Sequence, residues 1–315
     1  MSTEFLRVPA RLSLNNNFKT IQASLSVEDA DSVLPGRSHQ NHPRIGSTVP
    51  AEPDLDALRS LHTRQLLSVP FDDLTVHSGG RIELDLPLIY EKIVTRRRGG
   101  VCYENNGLFS WLLTSLGFQV TMLSAQVKGL ISGYYGPPFD HLVLLVTLQG
   151  RRWLCDVGFG AAGFSVPISL ETSGPQAEGH RVYRIRKQGD LHFLEWQGEE
   201  IRDADGVWKE IFKFTLDPRR LEDFTHMCQY HQSSPCSLIF WKSLCVILKP
   251  GGWLTCIGRR LISTTFPTEG AGFKTTTREL QDEEIAFILA QEFGIVLNSP
   301  LTPKDDTITP PRVMY

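Results

Sequence analysis

The segment Arg97-Arg98-Gly99-Gly100-Val101-Cys102-Tyr103-Glu104-Asn105-Asn106 opens a helix on a cysteine. Leu108, Trp111, Leu112 and Leu116 recur on one face after it, and Gly117 suits a C-terminal cap. A helix start presents unpaired N–H groups and the positive end of the backbone dipole, and both favour a thiolate. The paired glycines remove side chains and let another backbone or a ligand approach. A cysteine in that position is either a small buried hydrophobe or a nucleophile.

Upstream, the chain reads as helical. Asp54 caps a helix carrying Leu55, Leu58, Leu61, His62 and Leu66. Val69-Pro70-Phe71 breaks it, and a second helix is predicted over Leu86 to Thr95. Downstream, the apolar period shortens to that of strands: Val120–Val127, His141–Leu148, Arg152–Val157, Val182–Lys187, Leu191–Trp196 and Phe212–Leu216, a barrel or a sandwich. The remainder mixes a helix (Leu221–Tyr230) with strands at Leu244–Leu248, Trp253–Ile257 and Arg259–Phe266, and ends in a helix over Asp282–Phe293. Residues 1–43 show no sustained period and read as a flexible extension.

One hairpin bears on chemistry. Gln149-Gly150 is a two-residue turn signal, which sets Leu148 opposite Arg151 and Val143 opposite Asp156. Side chains alternate along a strand, so Asp156 shares a face with His141 and lies diagonal to it. A carboxylate among apolar residues needs a partner, and His141 is the one in reach. The order Cys102, His141, Asp156 then fits a nucleophile, a base and its orienter. Asp140, the rival orienter, should point the other way.

The bulk properties exclude several classes. The chain has 315 residues, 41% of them hydrophobic and 21% charged, with a formal net charge of -3, which argues against nucleic acid as a partner. Its six cysteines are irregularly spaced and include no CxxC pair, so neither a disulfide framework nor a structural zinc site is expected. No apolar run reaches membrane-span length, and the cysteine usage fits the cytoplasm. Lys249-Pro250-Gly251-Gly252 reads as a turn and not a nucleotide loop, while His226 and His231 flank Tyr230 without metal-ligand company. No metal is expected.

At these residues the chain resembles the arylamine N-acetyltransferase family. The likeness rests on Arg98-Gly99-Gly100-Val101-Cys102, on His141 before its aliphatic run, on Asp156-Val157-Gly158-Phe159-Gly160, and on Val69-Pro70-Phe71 with Leu74. It runs from about Arg44 to about Pro300. The resemblance implies an α+β fold: a helical domain carrying the nucleophile (44–117), a β-barrel carrying His and Asp (118–217), an α/β lid (218–300) and a tail (301–315), with a papain-like Cys-His-Asp triad. It implies ping-pong acetyl transfer from acetyl-CoA to an arylamine or arylhydrazine through acetyl-Cys102, in a monomer. The same triad would serve a thiol hydrolase or isopeptidase, or persist in a catalytically silent fold. Phe71, Phe159, Ala161 and Gly163 are the expected acceptor-pocket residues, and the small side chains at 161 and 163 predict room for two-ring amines. Gly160, Pro138 and Tyr230 are the expected CoA contacts. Arg96 and Arg97 are read as a solvated face or phosphate contacts, and Arg98 as holding structure around Glu104.

Overall fold

The computed structural model describes residues 52–129, 132–178, 181–198, 208–266 and 273–309; the extension read over 1–43 lies outside them. The first helix, α1 (Leu55–Ser68), starts where Asp54 Oδ1 accepts the Ala57 N–H at 2.8 Å and turns Leu58, Leu61 and Leu66 inward. A two-residue strand β1 (Phe71–Asp72) and a single-turn helix α2 (Leu74–His77) follow. The helix expected over 86–95 is present in two geometries. It begins as α3 (Leu86–Tyr90), capped by Asp85, and widens into a π-turn over Glu91–Thr95. Then comes α4 (Cys102–Ser115), which starts at the cysteine.

An eight-stranded antiparallel sheet is built from β2 (Gln119–Val127), β3 (His141–Leu148), β4 (Arg151–Cys155), β5 (Ile168–Ser169), β6 (Gln176–Glu178), β7 (Arg181–Gln188), β8 (Leu191–Gly198) and β9 (Lys209–Phe214). Its order is β5-β4-β3-β2-β9-β8-β7-β6. The two edges meet through a side chain: Gln176 Oε1 accepts the Ser169 N–H at 2.8 Å and its Nε2 donates to the Ser169 carbonyl at 2.9 Å, so the sheet is nearly a closed barrel. Strand β3 explains why Leu142–Val146 is apolar without alternation. Leu142, Leu144 and Val146 join the cluster that includes Tyr103, Phe109 and Leu113 of α4, while Val143 and Leu145 face the barrel interior with Phe212 and Phe214. A strand covered on both sides reads as one hydrophobic run.

The third part is a five-stranded sheet, β1-β10-β11-β12-β13, with β10 (Leu244–Lys249), β11 (Gly252–Ile257), β12 (Arg260–Thr265) and β13 (Lys274–Glu279). Two short helices, α5 (Thr225–Ser233) and α6 (Leu238–Trp241), precede it, and α7 (Asp282–Phe293) packs Ile285, Leu289 and Phe293 on its inner face. Phe71 pairs with Val246, so the segment between α1 and α2 belongs to this sheet. The turn at 249–252 joins β10 to β11, as its composition predicts. Residues 302–309 strap across the region: the Thr302 N–H donates to His77 O at 2.9 Å, Ser243 N–H to Lys304 O at 2.9 Å, and Asp305 pairs with both Lys242 and Arg260. The fold is therefore α+β. Among the described residues no helix is long and apolar enough to cross a membrane.

Candidate active site

Cys102 is the first residue of α4, and Gly158 lies so close behind it that an added Cβ would meet the Cys102 Cα at 2.6 Å. That approach brings the end of the β3–β4 hairpin onto the helix start. The hairpin has the register its turn predicts: Leu148 faces Arg151 and Leu144 faces Cys155, with Gln149 (φ 50°) and Gly150 (φ 76°) both left-handed, as a type I′ turn requires. Asp156 follows the last paired residue. Its Oδ2 accepts from His141 Nε2 at 2.6 Å, and both groups are buried. The imidazole stands beside the Cys102 thiol, and with Nε2 engaged by Asp156 it is Nδ1 that is left for the sulfur. Burial opposes a charge on His141, but the Asp156 carboxylate, its hydrogen bond and the contact with Cys102 outweigh it and raise the imidazole to about 10.

The carboxylate is itself held from several sides. Asn106, one turn after the cysteine, donates from Nδ2 to Asp156 Oδ1 at 2.9 Å and to the Leu142 carbonyl at 2.8 Å, and its own oxygen accepts the Val157 N–H at 2.9 Å. The Gly158 N–H adds a second bond to Oδ1 at 2.9 Å. His62, on α1, accepts the Asp156 N–H at Nε2 (3.1 Å) and donates from Nδ1 to the Ser165 carbonyl (3.0 Å), stacked on Phe164. Burial depresses His62 to about 4, which keeps Nε2 free to accept. The sequence places His62 on a helix face and gives it no further role.

The flanks of the histidine are also built. Phe139 has φ 67°, a left-handed conformation costly for an aromatic residue, and the Tyr103 hydroxyl donates to its carbonyl at 2.8 Å. Asp140 points away from the pair, as expected: its Oδ1 accepts the Val127 N–H at 3.0 Å, and burial raises it to about 7. His231, given no role by sequence, bonds the Asp140 carbonyl at 3.3 Å and Ser237 Oγ at 2.9 Å. Its neighbour Tyr230 packs edge-on against it.

Arg98, expected to hold structure around Glu104, makes its direct bonds to another carboxylate: its Nε donates to Asp72 Oδ2 at 2.8 Å and its Nη2 to Oδ1 at 3.1 Å. Lys92 takes Glu104 instead, at 2.9 and 2.8 Å, because the π-turn carries it over the start of α4. Glu104 also accepts the Val101 N–H at 3.0 Å and so caps the helix that bears the cysteine. Burial pushes Asp72 up, but the charges of Arg98 and Lys92 prevail and hold it below its ordinary value. Replacing Arg98 by Met strands a wholly buried carboxylate, and denaturant melts should register a loss of about 3–5 kcal/mol. A change below about 1 kcal/mol contradicts that account.

Of the expected pocket residues, Phe159 lies edge-on to His141, ring centres 5.1 Å apart, and Phe71 and Ala161 pack on the cluster that contains Cys102. Gly163 ends the 3-10 turn Gly160–Ala162. The expected CoA residues lie on three separate segments: Gly160 in that turn, facing Val246, Pro138 exposed on the loop before His141, and Tyr230 on α5. No group of three or more metal-ligating side chains occurs among the described residues.

Known proteins match most of the chain. The N-acetyltransferase family profile matches residues 54–302. Arylamine N-acetyltransferase 1 of Homo sapiens is 33% identical over 267 residues, 80% of this chain and 91% of that protein. Among solved structures, the arylamine N-acetyltransferase of Mycobacterium smegmatis superposes with a TM-score of 0.69 at 31% identity, covering 80% of this chain and 89% of that one. The Mycobacterium marinum enzyme in complex with CoA gives 0.69 at 28%, over 80% and 90%.

Proposed function

The chain belongs to the arylamine N-acetyltransferase family, and on that premise we propose that it carries acetyl from acetyl-CoA to the nitrogen of arylamines or arylhydrazines through a thioester on Cys102. The observation that carries the reading is His141, buried between the Cys102 thiol and the Asp156 carboxylate. An imidazole at about 10 is protonated at neutral pH and stands beside the sulfur as the cation that favours a thiolate.

In the first half-reaction the Cys102 sulfur attacks the acetyl carbonyl, the new C–S bond forms, and the departing CoA sulfur takes the proton from His141. The N–H groups at the start of α4, which by position have no intrahelical carbonyl, are the donors available to the developing oxyanion. In the second half-reaction the amine nitrogen attacks the thioester, His141 takes its proton, and the Cys102 thiolate leaves. An aromatic amine keeps its lone pair at neutral pH and needs no stronger base. Cys102 and His141 are 6% and 3% exposed, which shields the thioester from water. Phe71, Phe159, Ala161 and Gly163 form the acceptor wall in this reading; Gly160, Pro138 and Tyr230 are its CoA-side contacts.

The test is intact-protein mass after brief exposure to acetyl-CoA without acceptor, with peptide mapping of the label. One acetyl group on Cys102, discharged on adding an aromatic amine, is the expected result. A folded chain that gains none refutes the proposal.

A further inference from the structure

The turn that carries Ala161 and Gly163 has no large side chain of its own to fix it. Residues 160–163 are Gly-Ala-Ala-Gly, and none of them is fully buried. Such a segment ordinarily wanders, yet its polar backbone is gripped from outside. Arg181, the first residue of β7, donates from Nη1 to the Ala161 carbonyl at 2.7 Å and to the Gly163 carbonyl at 3.5 Å. Tyr183, two residues along the same face, donates its hydroxyl to the Gly163 carbonyl at 3.1 Å. Just beyond, Glu178 accepts the Ser165 N–H at 2.9 Å, and the Ser165 carbonyl is held by His62 and by Thr63 Oγ1 at 2.8 Å. The segment is thus tied by side chains from β6, β7 and α1.

Arg181 is built for this task. It is 7% exposed, and its guanidinium lies 4.8 Å from the Trp196 ring of β8 and 5.6 Å from the Phe273 ring ahead of β13. A planar cation held against two rings keeps its fork aimed at little entropic cost, which a lysine ammonium cannot reproduce. The Ala161 methyl packs on the cluster that contains Cys102, so the position of the Ala161 carbonyl sets where that methyl stands in the wall read above as the acceptor side.

We propose that Arg181, supported by Tyr183, is the specificity-determining positioning residue of this protein: by holding the Ala161 and Gly163 carbonyls it keeps the wall beside Cys102 drawn back, and so admits two-ring aromatic amines. The inference rests on the acetyl-transfer reading above. It adds a determinant outside the segment that lines the wall. Without these ties the alanines close into the space they border, and large acceptors lose more than small ones.

The two half-reactions separate this role from a general loss of structure. In Arg181→Met, acetylation of Cys102 by acetyl-CoA, followed by intact mass, stays within about twofold of the natural chain. The discharge rate with 2-aminonaphthalene relative to aniline falls by about tenfold, a pocket-sized effect. Arg181→Lys recovers part of the ratio, since one donor returns without the planar fork. Tyr183→Phe, which removes only a hydroxyl, shifts the ratio the same way by less and serves if the methionine variant does not fold. An unchanged ratio overturns the proposal, as does an equal loss with both amines or a matching loss of acetylation in a folded variant. Amide hydrogen exchange at residues 160–165 reads the positioning without turnover: Arg181→Met or Tyr183→Phe accelerates it. If the natural chain takes no acetyl group, the catalytic reading has failed; exchange that also stays unchanged removes the positioning role as well.

Discussion

Asp156→Asn is expected to lower kcat/KM for acetyl transfer by roughly 10³–10⁴-fold while the protein stays folded. The reason is local. Asn106 and the Gly158 N–H both donate to Asp156 Oδ1, so the oxygen of an asparagine settles there and its NH₂ falls opposite His141 Nε2. Nε2 must then accept, the ring proton moves to Nδ1, and the nitrogen facing sulfur can no longer take a proton. The charge balance changes as well. His141 is raised to about 10 because Asp156 overcomes burial; once the carboxylate is gone, burial prevails. A raised histidine pKa means that the protonated form persists up to about 10 and is lost above it, so the natural chain should show its alkaline limb there. In the variant that limb moves to lower pH. A folded Asp156→Asn chain with an unshifted limb and a rate within about tenfold of natural would sink the role given to this carboxylate.

The same residues show what a sequence discloses and what it withholds. The helix from Cys102 and the strand from His141 are legible because each is a sustained apolar pattern with a marked end. Register in the hairpin follows from Gln149-Gly150 alone, since a two-residue turn leaves no freedom of pairing. Strand β13, Lys-Thr-Thr-Thr-Arg-Glu, escapes a sequence reading because it is exposed along its whole length and carries no alternation. Phe71–Asp72 escapes it because two residues cannot show a period. That Arg98 bonds Asp72 while Lys92 takes Glu104 is not legible, because it depends on a π-turn that shifts Lys92, and nothing in the residue types there announces one. His62, His231 and Arg181 are invisible as site residues for another reason. Each acts through a distant backbone group, of Asp156, of Asp140, and of Ala161 with Gly163, and a backbone group leaves no letter in the sequence. A signal is still present at Arg181: a charged residue inside a strand that alternates inward with Tyr183 and Ile185 must have a buried partner.

Cys102→Ser is expected to abolish the acetyl-enzyme within the time that labels the natural chain fully, a loss of more than about 10⁴-fold in turnover by comparison with other catalytic triads. The substitution keeps a hydrogen-bonding group opposite His141 and removes little volume, so helix α4 and its cap by Glu104 should persist. What it removes is acidity. A thiol reaches the anionic form beside an imidazolium, whereas a hydroxyl does not, and its proton must leave during attack itself. The other thiols provide the internal control. Cys155, Cys228, Cys245 and Cys256 are buried, and burial raises all four, to about 12 for Cys228 and about 11 for Cys256. Cys236 is half-buried, the most exposed of the six, and is therefore where adventitious thioester exchange would land. Label that survives Cys102→Ser and maps to Cys236 at an unaltered rate would show that acetylation of this chain is surface chemistry. Loss of label with a thermal midpoint near the natural value would tie it to the cysteine that opens α4, and then discharge of the natural acetyl-enzyme by amines but not by water is what separates a transferase from a hydrolase built on the same residues.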